Sequence, residues 1–425
     1  MFADITKRAI IIMLFKYFVV TIILILSGLA SNAQEVIYAI QPGRGIKSLS
    51  SFSEGLSKAK VGFEKTGFVD TTGKFIIEAV YEDAGSFHDG LAWVSKTINN
   101  HLKYGFIDKK GDLVIPFVFD EVKDFSCHRA AVRKESQWQY IDKSGKIVLN
   151  TAFIRIDTLI DKMYNGAYNE MRANPEYFKN GLLLIRRGNR FGYTDTSGRI
   201  IVPPKLYMAK AFLDGIALVA ADTVVPVQSS GDDRLNKLQN KLPSNDAVVK
   251  WSVIDTTGKL LCTLDSAKAI KDLGNGLIAF TNDDDYSALW GIVNKNGKVL
   301  LAPQFEKQPI SCSDGVIIVQ VDGKEGDNKD GYLLTFDITG NRIAKIPLCG
   351  TVGCLYDSNL SFHEGLIAVR VANGWGYMDK AGKIVVPSQF DTALDFQGGL
   401  AIVVTTDSQV AAIRNPLKVS DVQHK

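Results

Sequence analysis

The chain has 425 residues, 46% of them hydrophobic and 22% charged, with a net charge of +3. Apolar content at this level supplies a folded core and excludes an intrinsically disordered chain. A near-neutral balance without a basic stripe excludes the electrostatic footprint of a nucleic-acid binder.

The N-terminus reads as an export signal. Lys7, Arg8 and Lys16 form a positive region, Tyr17 to Leu26 an apolar region, and Ser31-Asn-Ala33 a small-residue exit. A signal peptide over 1–33, cleaved before Gln34, is expected. The alternative is one uncleaved anchor, for which the apolar run is short against the roughly 20 residues of a membrane span. Met13 opens a more conventional signal and is an alternative start. No transmembrane segment is expected after cleavage. Residues 34–50 form a lead-in.

Residues 51–406 carry a repeat. Its ruler is Asp-x-x-Gly, at Asp70/Gly73, Asp108/Gly111, Asp142/Gly145, Asp195/Gly198, Asp255/Gly258, Asp337/Gly340 and Asp379/Gly382, with Asn294/Gly297 as a variant. Asp at the first position accepts backbone N–H groups, and Gly at the fourth takes positive φ, which closes a hairpin with a bulge. Four residues before the Asp stands an aromatic: Tyr104, Trp138, Phe191, Trp251 and Trp375, with Trp290 before Asn294. Thr66 and Leu333 replace it in two copies. Gly67, Gly105, Gly192, Gly291 and Gly376 follow the aromatic slot and signal close backbone approach. The repeated tryptophans are expected in the core between repeats; a ligand groove is the alternative.

The return strands open with Lys or Arg and run apolar on both faces, so they are expected to be sandwiched between neighbouring units. Pro116, Pro203, Pro303 and Pro387 are expected to end them. A third element, Phe-x-Asp/Glu-Gly-Leu, recurs as in Phe87 to Leu91 and Phe362 to Leu366. Each unit is then a three-stranded antiparallel meander of roughly 35–40 residues, a repeat-protein period. Nine third elements against eight hairpins favour an open array, because a closed ring would split one unit between the termini. The expected fold is all-β, a tandem array of about eight meanders, solenoid-like or superhelical, with a propeller-like ring as the alternative. Insertions near 157–179 and 222–249 break the period, and 407–425 reads as a polar tail.

The stretch Trp375-Gly-Tyr-Met-Asp-Lys-Ala-Gly-Lys-Ile-Val-Val-Pro387 resembles the WG, or KWG, repeat family. Trp290-Gly-Ile-Val-Asn-Lys-Asn-Gly-Lys298 and Tyr104-Gly-Phe-Ile-Asp-Lys-Lys-Gly111 support the resemblance. It implies a β-rich, often exported bacterial protein with a binding or scaffolding role and no established catalytic residues. Gln139 and Ser252 replace the glycine, and Leu333 the aromatic, in the third, fifth and seventh copies.

Little in the sequence points to chemistry. The histidines, His88 and His363 among them, lack metal-ligand spacing, and no phosphate loop or nucleophile elbow is present. No catalytic residue, metal site or cofactor is expected. The acidic loops 282–285 and 322–330 follow no calcium pattern. Five cysteines follow no repeat; Cys349 and Cys354 are close enough to bridge a small loop. The expected function is non-enzymatic: a cell-envelope binding or scaffolding protein for a protein, peptide or polysaccharide. The alternative is a glycan-acting enzyme using loop carboxylates.

Overall fold

Short apolar strands joined by tight turns build eight antiparallel sheets. In this computed structural model the described residues are 36–419, apart from 63–64, 136, 151–176, 189, 222–249, 284–287, 324–330, 348–359 and 372–373. The signal peptide, the insertion at 222–249, most of that at 157–179, and Cys349 and Cys354 lie outside them.

The first sheet shows the plan. Its strands Ile46–Leu49, Leu56–Val61, Lys65–Asp70 and Phe75–Tyr81 lie side by side in chain order. The chain then crosses to the innermost position of the next sheet. Every sheet keeps this order, and the eighth is extended to six strands.

That eighth sheet closes the ring. Its strand Ile384–Ala393 serves two meanders, pairing with Gly374–Asp379 on one side and Leu400–Thr405 on the other. The second meander adds Val410–Arg414, and its last strand comes from the opposite end of the chain. Tyr38–Ile40 pairs antiparallel with Val410–Arg414, Tyr38 opposite Ile413 and Ile40 opposite Ala412. Ile40, Leu49 and Phe52 share one core with Leu400, Ile402 and Ala412. The open array is therefore corrected to a closed β-propeller of eight sheets. Closure buries the two sheet faces that an open array would leave to solvent. The polar-tail reading of 407–425 is corrected as well, since Val410–Arg414 is a strand and Pro416–Val419 a short helix.

The meander is also phased differently from the expectation. The strand after Phe-x-Asp/Glu-Gly does not return to its own hairpin. Leu91–Ile98 pairs with the following strand, His101–Asp108, across the two-residue turn Asn99-Asn100. A two-residue turn closes a hairpin at far less entropic cost than the longer connector behind it. Each sequence repeat thus begins in one sheet and ends in the next.

The outer strands, expected to be sandwiched, are sheet edges. Their inward positions pack on the neighbouring sheet, but Leu113, Ile147, Leu260 and Val299 point outward and are 48–53% exposed. The prolines do not end these strands. Pro387 sits in a bulge: pairing shifts between Trp375↔Phe390 and Tyr377↔Val386, so the outer strand carries two extra residues there. The same shift follows Thr66, Tyr104, Phe191 and Trp290. A proline in a bulged edge strand loses no ladder bond.

The bulge explains the glycine. A Cβ on Gly376 would stand 2.4 Å from the Val386 carbonyl oxygen, and one on Gly67, Gly105, Gly192 or Gly291 would stand 2.4–2.7 Å from its counterpart. Where Gln139 or Ser252 replaces the glycine, the strand pairs are in unbroken register at that point.

Adjacent meanders are joined by aromatic rings that the sequence reading did not single out. The ring after the glycine slot meets the Phe of the next Phe-x-Asp/Glu-Gly element, edge-on in three copies and tilted between Tyr377 and Phe396. Phe68–Phe87, Phe106–Phe125, Tyr193–Phe212 and Tyr377–Phe396 have centroids 4.6–5.0 Å apart. Each such pair contributes about 0.5–1.5 kcal/mol beyond its burial. The buried Tyr193 and Tyr377 hydroxyls donate to the Lys210 and Leu394 carbonyls at 2.6 and 2.7 Å. Burial pushes both phenols well above their ordinary pKa.

Candidate functional site: the turn ring and the innermost strands

Because strands alternate in direction, two turns of every sheet lie on the same face. One is Asp-x-x-Gly. Asp379 Oδ1 accepts the Ala381 and Lys383 N–H groups at 3.0 and 2.9 Å, and Gly382 has φ 88°. Asp108 does the same with Lys110 and Asp112 at 2.9 and 3.0 Å, with Gly111 at φ 89°. These residues close the turn through local hydrogen bonds. The Ser197 hydroxyl and amide hold Asp195 down to about 2, and the Thr339 hydroxyl does so for Asp337. A ninth turn of this kind has Thr405 in the place of the Asp and Ser408 in the place of the Gly. Thr405 Oγ1 accepts the Gln409 N–H at 3.2 Å, and Ser408 takes φ 61°.

The second turn is the Asp/Glu-Gly of the third element, with positive φ at both central residues. Its side chain reaches the next meander. Glu54 accepts the Gly90 N–H at 3.1 Å, Asp89 that of His128 at 2.7 Å, Asp214 that of Asn275 at 2.6 Å, and Glu364 that of Gly399 at 2.9 Å. Asp314 binds Gly365 in the same way. The lysine of Asp-Lys-x-Gly reaches across to these acids: Lys109 Nζ is 2.9 Å from Glu54, and Lys380 Nζ 3.3 Å from Asp314. Charge-assisted bonds of this kind run around one face from sheet to sheet.

The repeated tryptophans edge the cores between sheets. Trp251 is buried, and Trp138, Trp290 and Trp375 are half-buried against their clusters. They do not come together as a groove among the described residues. Among the described residues the histidines show no metal geometry. His363 Nε2 is 2.8 Å from Ser361 Oγ and 3.3 Å from Asp395. Both oxygens meet one ring nitrogen, so the imidazole cannot relay a proton between them as a hydrolytic triad requires. Among the described residues no group of three potential ligands could hold a metal ion, and no helix is long and apolar enough to cross a membrane.

The innermost strands vary from sheet to sheet, and on or beside them lie the acids whose pKa is raised. Burial, helped by the Asp214 charge, pushes Asp272 up to about 6 against the Gly274 amide and Lys210. Burial also raises Asp124, opposed by His88, the Trp93 indole and Lys58. Lys271 is lowered by burial and by Lys210, and its Nζ donates to the Ile310 carbonyl at 2.7 Å. No motif marks these positions, since they are the slots the repeat leaves free.

Among solved structures, the computationally designed Ika8 protein is 12% identical, with 90% of this chain and 100% of that one covered and a TM-score of 0.36. BamB from Moraxella catarrhalis is 12% identical, with 86% and 96% covered and a TM-score of 0.34. KlHsv2 with loop 6CD replaced by a Gly-Ser linker is 9% identical, with 76% and 92% covered and a TM-score of 0.33. No curated protein matches the chain. The family profile described as "WG containing repeat" matches residues 67–97, 104–138, 191–221, 290–324 and 375–407. Those five matches fall on the five bulged copies. With the repeat recurring from residue 67 to residue 407, the chain belongs to the WG repeat family.

Proposed function

We propose that the protein is a non-enzymatic binding or scaffolding module, exported to the cell envelope, that recognises a protein, peptide or envelope polymer. The observation carrying this reading is the commitment of the turn-ring acids. Glu54, Asp89, Asp214, Asp314 and Glu364 spend their oxygens holding neighbouring meanders together. Recognition then falls to the opposite face. There Ala221 and Lys250 flank the 222–249 insertion, and the longest hairpin exposes Ile98 and Leu102 beside its Asn99-Asn100 tip. Export follows from the leader-like N-terminus and is checked by fractionating cells that express the full chain.

The test places a photo-crosslinking residue at Asn100 and, separately, at Thr256 on the turn face. Crosslinks to an envelope component from Asn100 alone support the reading; equal yields from both sites, or none, count against it. A second reading, an enzyme acting on an envelope glycan, is favoured by the raised Asp272 beside Asp214. It requires turnover of a wall polymer that Asp272→Asn abolishes.

A further inference from the structure

Acid and lysine vary together around the turn face. The third-element turn carries an acid at Glu54, Asp89, Asp214 and Asp314, and the hairpin turn of the following meander then has a lysine second: Lys109, Lys143, Lys295 and Lys380. Where the same positive-φ slot holds Cys127, Asn180 or Asn275, the following hairpin has Thr196, Thr256 or Ile338 instead. Across the seam, Gly398 is followed by Thr71 in the same way. Lys109 Nζ meets the Glu54 carboxylate and Lys380 Nζ that of Asp314, and each also donates to the same residue's backbone carbonyl. A carboxylate that already holds its neighbour's amide is thus balanced by a cation from that neighbour.

Glu364 alone breaks the rule. It is an acid and holds the Gly399 amide, but the following hairpin has Thr406 in the lysine position. The lysine comes instead from the C-terminal segment, where Lys418 Nζ lies 2.9 Å from Glu364. Asn415, itself buried, anchors that segment to both meanders. Its Nδ2 donates to the Glu364 carbonyl and its backbone amide to the Gly399 carbonyl, at 3.0 and 2.8 Å. Its Oδ1 accepts the Leu417 N–H at 2.9 Å, which caps the short helix Pro416–Val419 that carries Lys418. Leu417 covers Gly365: a Cβ there would stand 2.9 Å from its Cδ1, whereas Gly55, Gly181, Gly215 and Gly315 at the same turn position have nothing within 4 Å. We infer that Asn415–Lys418 is a strap that locks the last two meanders together in place of the lysine their hairpin lacks, and that opening of the ring at its seam begins with release of this strap. The meander it holds is the one whose strand Val410–Arg414 receives Tyr38–Ile40. Leu417 and Lys418 are exposed, so the strap rests on few buried contacts and is the element of the closure that opens at least cost.

The test is hydrogen exchange of the full protein read by mass spectrometry on peptides covering 38–49 and 398–414. Lys418→Ala is expected to speed exchange in both about threefold and to leave a peptide covering 130–141 unchanged. Adding Thr406→Lys, which restores the rule, is expected to return both to the parent rate. Adding Thr256→Lys instead, in the hairpin that follows the neutral Asn180, is expected to restore nothing. Lys418 is exposed, so its truncation leaves the packed sheets intact; Leu417→Ala loosens the strap independently and should speed the same two peptides. Parent exchange in both Lys418→Ala and Leu417→Ala overturns the inference, as does faster exchange at 398–414 with the seam peptide unchanged. Failure of Thr406→Lys to rescue, or equal rescue by Thr256→Lys, overturns it as well.

Discussion

Replacing Gly376 with alanine adds one methyl group at the tightest backbone approach in the eighth sheet. The new Cβ would stand 2.4 Å from the Val386 oxygen and 2.9 Å from both the Pro387 carbonyl carbon and Ser388 N. All three are backbone atoms, so no side chain can swing away. Relieving the clash means moving the bulge by about 1 Å, toward the ~3.5 Å of an ordinary contact. The pairs Trp375↔Phe390 and Tyr377↔Val386 pin it on either side. The cost should fall at the upper end of overpacking, about 3 kcal/mol. Ser252 fills the same slot in a copy whose pairing is in register opposite it, so Ser252→Ala should stay within about 0.5 kcal/mol of the parent. Urea unfolding followed by tryptophan fluorescence measures both. A Gly376→Ala protein as stable as the parent, or a Ser252→Ala protein equally damaged, would show that the glycine does not serve the bulge.

Ring closure predicts that Ile40→Ala, at the one fully buried residue of the closing strand, costs about 2–5 kcal/mol and brings early cleavage at the seam in limited proteolysis. Glu364 joins two turns and also meets Lys418 Nζ at 2.9 Å; Glu364→Gln should cost about 1 kcal/mol, less at high salt, by urea titration. Asp195 is held at about 2 in the fold, so its contribution is complete above its ordinary pKa and is lost as pH falls toward 2. Ser197→Ala should raise the Asp195 midpoint by NMR titration. Asp272 has the opposite sign: its folded pKa is raised to about 6, so stability falls as pH rises from about 4 through 6. Asp272→Asn should then stabilise the protein at pH 7 but not at pH 4, with a larger gain in urea midpoint at the higher pH.

The hairpin chemistry was legible from sequence because each turn draws its bonds locally. Asp379 and Gly382 act within five residues of one another. Closure was not legible, because it depends on partners at opposite ends of the chain. Thr405 and Ser408 disguise the last hairpin, and Tyr38–Ile40 looks like lead-in until Val410–Arg414 lies beside it. Counting third elements against hairpins missed that disguised hairpin and so favoured the wrong topology. Gly376 signalled close approach correctly, but only the register shows that a bulge is what approaches. The candidate site escaped for a different reason. Asp124 and Asp272 stand in a slot that Ser51, Ser86 and Ala211 fill in other copies, so only the packing around them marks them as buried acids.

The phase difference between sequence repeat and sheet bears on how such a protein changes over generations. A duplicated or deleted repeat carries two strands of one sheet and the opening strand of the next. Its insertion leaves no sheet half-built: the new unit completes its predecessor and starts its successor. The constraint falls instead on the circumference, because the seam at Tyr38–Ile40 must still meet Val410–Arg414. Ring size can therefore drift in whole units, with the terminal strand acting as the gauge that accepts or rejects each new size.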